Sequence, residues 1–266
     1  MVTGRNGTTR TGSIKVLFLG QCLQYGYEGL RRYETFPNHA AMILKAQFPA
    51  LSLKFDLKYL HHPTGLKALL KQRLLVTKPD IVLISLPAMF AATSWRVNMI
   101  YQIAPEIVDT ARSFRKSVEA RAKGASAYFA RLGKVFDKAF VVQPPLGLEE
   151  YERLVEEALL DCGRITSCRF VLMGPGRFNE DTNEVYPVHN PELWSSVNQM
   201  ILRLGQRRNV AVVNTQEALN DHSGEVFTAN NHRFSRTGHE VVGREVANVL
   251  ASQIAILNLT SRDAGA

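Results

Sequence analysis

The chain has 266 residues, 45% of them hydrophobic and 21% charged, the composition of a globular protein with enough chain for a large core. No apolar run reaches 18 residues, so no membrane-spanning helix is expected. The three cysteines (Cys22, Cys162, Cys168) include no CxxC pair. That argues against a disulfide scaffold or a structural zinc site and fits a reducing cytoplasm.

The net charge of +8 is local. Between Arg112 and Lys138, eight basic residues face only Glu119 and Asp137, so this stretch carries +6 and the remainder is close to neutral. Residues 1–13 (MVTGRNGTTRTGS) are polar and lack the apolar middle of a signal peptide, and are expected to be a disordered leader. Residues 259–266 are expected to be a disordered tail, leaving 14–258 as a single domain.

Apolar, strand-like runs occur at 14–20 (IKVLFLG), 51–57 (LSLKFDL), 80–86 (DIVLISL), 168–173 (CRFVLM) and 209–214 (NVAVVN). Helical periodicity lies between them. The first helix is expected at 38–48, with Asn38 as N-cap after Pro37. A second spans Thr64 to Val76, and a third, Glu149 to Leu160, precedes the fourth strand. Pro191 to Leu204 starts with proline in its first turn after Asn190. Arg236 to Leu257 is the last and longest.

Strands alternating with helices predict an α/β fold around a parallel sheet. Five strands suit a three-layer α/β/α sandwich of flavodoxin-like order 2-1-3-4-5. Sites in such sheets lie beyond the carboxyl ends of the strands, where the strand order switches. The first strand flanks that switch and ends in Gly20-Gln21-Cys22, which places a cysteine at the expected site. More than 80 residues separate strands three and four, far beyond a plain crossover. Residues 88–147, which contain the basic stretch, are therefore read as a helical insertion or lid.

The carboxyl-terminal stretch ANNHRFSRTGHEVVGREVANVL, 229–250, places His232 before a polar turn, Gly238-His239 and a long amphipathic helix. This resembles the closing block of SGNH (GDSL-type) hydrolases, with His232 at the catalytic histidine. In that family the first strand ends in Gly-Asp-Ser, so Cys22 falls on the nucleophile and Gln21 on the aspartate. The resemblance puts Gly65 of HPTGLKALL at an oxyanion-hole glycine, with the backbone N–H of Cys22 as a second donor. In KPDIVLISLPAMF the strand matches. However, Pro87 replaces a glycine, Met89 the oxyanion asparagine and Phe90 an aspartate. Ala229 stands where the triad aspartate belongs.

The resemblance thus implies an acyl hydrolase or acyltransferase acting on an ester or thioester, with Cys22 as nucleophile and His232 as base. It needs no metal or other cofactor. A cysteine acts as thiolate, and a neighbouring histidine can hold it as an ion pair. In a serine triad, losing the aspartate's role costs about 10⁴-fold, but cysteine sites on other folds use asparagine there. Asn230 or Asn231 could orient the imidazole, neither at the family's spacing. A missing oxyanion donor costs roughly 10²–10³ in rate. Gln21, Met89, Phe90 and Arg177 (from GPGRFNED, 174–181, which lacks the Lys-Ser/Thr of a phosphate loop) are candidate substrate-pocket residues.

Plainer roles stand beside these. Cys22 could only fill a gap, Gly65 only serve a turn, and Met89 and Phe90 only form an apolar wall. His239 is read as packing or capping, Cys162 and Cys168 as buried structural residues. The adjacent pair His61-His62 is not read as a metal site. The basic stretch is either a solvated helix face or a dock for an acidic protein partner, such as a carrier that presents a thioester, or for an anionic surface. No nucleic-acid module is present. The rival functions are a catalytically impaired SGNH fold that binds a ligand or acidic partner, and a nucleotide- or flavin-binding domain. The latter lacks a phosphate loop after strand one.

Overall fold

The computed structural model describes residues 12–20, 30–60, 63–92, 146–179, 191–220, 222, 225–228 and 233–263. Strand β1 (Ser13–Gly20) leads to α1 (Phe36–Gln47), then β2 (Ser52–Tyr59), α2 (Leu66–Val76), β3 (Ile81–Ser85) and the short α3 (Met89–Ala92). There follow α4 (Leu148–Gly163), β4 (Arg169–Met173), α5 (Pro191–Arg208), β5 (Ala211–Val213), α6 (Thr215–Asn220) and α7 (Arg236–Asp263). The strands form one parallel sheet in the order β2-β1-β3-β4-β5, the flavodoxin-like order expected.

Both faces of the sheet are covered, which is why its inner strands read as nearly continuous apolar runs. On one face Leu17, Leu19, Val82, Ile84 and Leu172 pack against Leu66 and Leu70 of α2, Val155 and Leu159 of α4, and Val197 and Ile201 of α5. On the other, Val16, Phe18, Leu83, Val171 and Met173 meet Phe36 and Leu44 of α1 and Val242, Val246 and Leu250 of α7. The result is the three-layer sandwich. Glu152 and Glu156 of α4 pair with Arg203, Arg207 and Arg208 of α5 across the outside of one layer.

Several boundaries differ from expectation. Helix α1 begins at Phe36, with Thr35 in the extended N-cap conformation. Asn38 instead lies in the first turn: its amide N–H reaches the Thr35 carbonyl, and its side chain donates to Thr35 Oγ1. Helix α7 runs to Asp263, five residues past the expected domain end, and no Gly or Pro lies between Gly243 and Gly265 to end it sooner. Strand β1 starts at Ser13, inside the expected leader.

Residues 93–145, most of the expected insertion and all of its basic stretch, lie outside the described residues. Its ends do not: the Gly147 N–H donates to the Ala91 carbonyl at 3.3 Å. The chain therefore leaves and rejoins the sandwich at one point.

Candidate active site

Strand β1 lies between β2 and β3, where the strand order switches, and its last residue is Gly20. The Gly20 carbonyl accepts the Leu60 N–H at 2.7 Å. Gln21 and Cys22 follow directly and lie outside the described residues, as do Asn230, Asn231 and His232.

After 21–29 the chain is fixed at Glu34. Its carboxylate accepts the Arg31 N–H at 2.8 Å and pairs with Arg236, the first residue of α7, at 2.9 Å. Two residues on, the Phe36 N–H donates to His239 Nδ1 at 3.1 Å. The segment that follows Cys22 is therefore joined to the segment that follows His232.

The chain on either side of 229–232 is itself joined. Phe227 and Phe234 form an antiparallel bridge. The Thr228 N–H donates to the Arg233 carbonyl at 2.8 Å, and the Ser235 N–H to that of Val226 at 2.9 Å. Gly238 makes this turn possible, because a Cβ there would collide with the Val226 carbonyl.

His239 has the packing and capping role expected of it. It is fully buried, stacked on Phe36 and edge-on to Phe234. Its Nδ1 satisfies an N–H at the start of α1, one of the donors a helix leaves without an internal partner. An accepting Nδ1 means a neutral ring. Burial, with a smaller contribution from nearby His39, pulls its pKa down to about 4.

Gly65 ends a 3₁₀ turn (Pro63–Gly65) after β2 and forms the N-cap of α2. Its φ of −87° is ordinary and the space at its Cβ position is open, so nothing in the local backbone demands glycine. Met89 is the first residue of α3. Phe90 is fully buried, edge-on to Tyr151 of α4, so it belongs to the core between α3 and α4. The Tyr151 hydroxyl donates to the Pro87 carbonyl at 3.3 Å, and its burial raises the phenol pKa well above normal.

Beyond β4 the loop 174–179 is held by Asn198 of α5, whose side-chain amide donates to the Gly176 carbonyl at 2.7 Å. Gly176 has φ +88° with Leu219 2.9 Å from its Cβ position, a conformation that favours glycine. This loop projects Arg177, whose guanidinium lies 5.5 Å from the Phe227 ring centroid. Arg177 thus touches one flank of the His232 segment. It also lines a cavity of about 470 Å³ with Asn179, Trp194, Ser195, Asn198 and Gln216.

Asn198 and Trp194, which line this cavity, were not among the residues expected at the site. The signal was present: a buried polar residue interrupts the apolar stripe Trp194, Val197, Ile201, Leu204 of α5. The cap before α6 was not anticipated either: the Asn214 side chain accepts the Glu217 N–H through Oδ1 and donates through Nδ2 to the Glu217 carboxylate.

Of the remaining cysteines, both expected to be buried, Cys162 is buried and Cys168 is half-buried. Cys162 is fully buried, and burial raises its thiol pKa. Burial, with Asp80 nearby, pushes Cys168 up to about 12. Among the described residues no cluster of His, Cys, Asp or Glu could hold a metal, and no helix is long and apolar enough to cross a membrane.

The fold and the sheet edge define a class: a flavodoxin-like α/β/α sandwich with a cavity beyond the carboxyl end of β4. Among solved structures the chain is similar to Axe2, an acetylxylan esterase from Geobacillus stearothermophilus. The match has a TM-score of 0.54 and 18% identity and covers 89% of this chain and 94% of that one. It is similar also to a lipase/acylhydrolase from Enterococcus faecalis, with a TM-score of 0.55 and 14% identity, covering 88% and 94%. At these identities the likeness is one of fold. No family model and no curated protein matches the chain.

Proposed function

We propose that the chain is an SGNH-like acyl hydrolase or acyltransferase that uses Cys22 as nucleophile and His232 as base on an ester or thioester. The observation that supports this best is the tie between the two flanks. The residues after Cys22 and those after His232 meet through Glu34–Arg236 and Phe36–His239, beside the carboxyl end of β1. The esterase fold of the structural neighbours supports it as well.

In this mechanism His232 takes the Cys22 proton and the thiolate adds to the substrate carbonyl carbon. The carbonyl electron pair moves to oxygen, where the backbone N–H groups of Cys22 and Gly65 bind it. Collapse expels the alcohol or thiol leaving group, which receives the proton from His232, and leaves an acyl thioester on Cys22. Water or another acceptor, deprotonated by His232, then attacks and restores the thiol. Asn230 or Asn231 orients the imidazole, and Gln21, Met89 and Arg177 face the substrate. Residues 112–138 serve as a dock for an acidic carrier or an anionic surface.

Met89 and Ala229, standing where the family has its asparagine and aspartate, favour a second reading: a catalytically impaired fold that binds a ligand or acidic partner. Turnover of short acyl esters and thioesters separates the two. Cys22→Ala abolishes it and His232→Ala nearly does if the first holds; full activity in Cys22→Ala overturns it.

A further inference from the structure

The cavity beyond β4 has an unusual lining. The described residues around it include one cation, Arg177, and no carboxylate; the other side chains with polar groups are Asn179, Ser195, Asn198, Gln216, Asn220 and the Trp194 indole. Arg177 makes no ion pair among the described residues. Its Nε is buried and has no hydrogen-bond partner among the described residues. A buried guanidinium nitrogen left unpaired costs free energy, and the guanidinium fork matches carboxylate and phosphate oxygens.

Supporting contacts hold Arg177 in place. The loop that carries it is fixed by Asn198 and Gly176, and its guanidinium rests on Phe227. The 18-residue helix α5 presents its first turn to the same cavity through Pro191, Trp194 and Ser195, and a helix N-terminus favours negative charge. Glu192 in that turn is exposed and does not line the cavity. Glu217 on α6 is bonded to Asn214.

We propose that this cavity is an anion-binding subsite that takes the carboxylate or phosphate of a hydroxylated substrate. Arg177 binds the anion, Ser195 and Gln216 bond the hydroxyl groups, and Trp194 forms an apolar wall. Strand β4 lies two strand spacings, about 10 Å, from β1 along the same sheet edge. An ester with its charged end here therefore extends its acyl group toward the end of β1. This deepens the acyl-transfer proposal and rests on it for the subsite's place in turnover, while binding itself does not depend on Cys22.

The test is calorimetric titration of the full chain with glycerol 3-phosphate, glucuronate and uncharged glucose. Wild type and Cys22→Ala bind at least one of the two anions and bind glucose at least ten-fold more weakly. Which anion binds better tells phosphate from carboxylate. Arg177→Gln weakens anion binding on the order of ten- to a hundred-fold, the loss expected for charge-assisted hydrogen bonds. Gln216→Glu, which places a carboxylate in the cavity without touching Arg177, weakens it as well and covers the case in which Arg177→Gln fails to fold. Equal binding of glucose and the anions, binding of neither anion, or unchanged anion affinity in a folded Arg177→Gln overturns the subsite. Anion binding retained in a Cys22→Ala variant that still turns over esters leaves the subsite standing and removes the nucleophile.

Discussion

Acidification should strip stability from this fold through His239 before most carboxylates titrate. In the folded state its Nδ1 accepts the Phe36 N–H, and its pKa is held near 4 by burial. In the unfolded chain it returns to about 6.5. Between those values the unfolded state binds a proton that the folded state refuses, so stability falls as pH falls. It is fully retained above pH 6.5 and lost progressively down to pH 4.

The whole shift corresponds to about 3 kcal/mol, of which about 2 kcal/mol is lost between pH 7 and pH 5. Urea denaturation at those two pH values measures it. His239→Asn serves as the reference, since the asparagine Oδ1 can accept the same N–H without titrating. Wild type should lose about 2 kcal/mol more than His239→Asn over this interval. Equal losses would refute the assignment of His239 as a buried neutral acceptor.

Gly238→Ala forces a methyl group against the Val226 carbonyl. It should cost about 1–3 kcal/mol, a fall in Tm of roughly 3–10 °C by thermal denaturation. Gly65→Ala meets open space at an ordinary φ and should change stability by less than about 0.5 kcal/mol. A larger loss would mean that the turn before α2 needs its glycine. A thiolate-specific alkylating reagent at pH 7 should label Cys22 alone, because Cys162 is buried and the Cys168 thiol is pushed up to about 12. Peptide mapping by mass spectrometry reads this out, and labelling of Cys168 at a rate matching Cys22 would contradict it.

The sheet was legible because its information is local. The inner strands are buried on both faces, so runs such as IKVLFLG and DIVLISL announce themselves, and the parallel order follows from the helices between them. Helix ends were less legible, because tertiary partners set them. Thr35 rather than Asn38 starts α1, where the Phe36 N–H finds the ring of His239, 203 residues away. Helix α3 and helix α6 are too short, at four and six residues, to leave a periodic signature.

The position of Arg177 in a loop after β4 was legible. The cavity around it was not, since it is assembled from α5 and α6, which sequence spacing does not bring together. Phe90, by position a pocket residue, packs into the core because Tyr151 of α4 closes over it. That contact spans the insertion and could not be read from KPDIVLISLPAMF alone.

The central claim is that Cys22 carries an acyl group during turnover. Intact-mass measurement after incubation with a short acyl thioester tests it most directly. The wild-type chain should gain the mass of one acyl group, mapped to the peptide containing Cys22. His232→Ala should gain it far more slowly and Cys22→Ala not at all. An adduct of the same extent in Cys22→Ala, or turnover without any adduct at Cys22 under rapid quenching, would contradict the account.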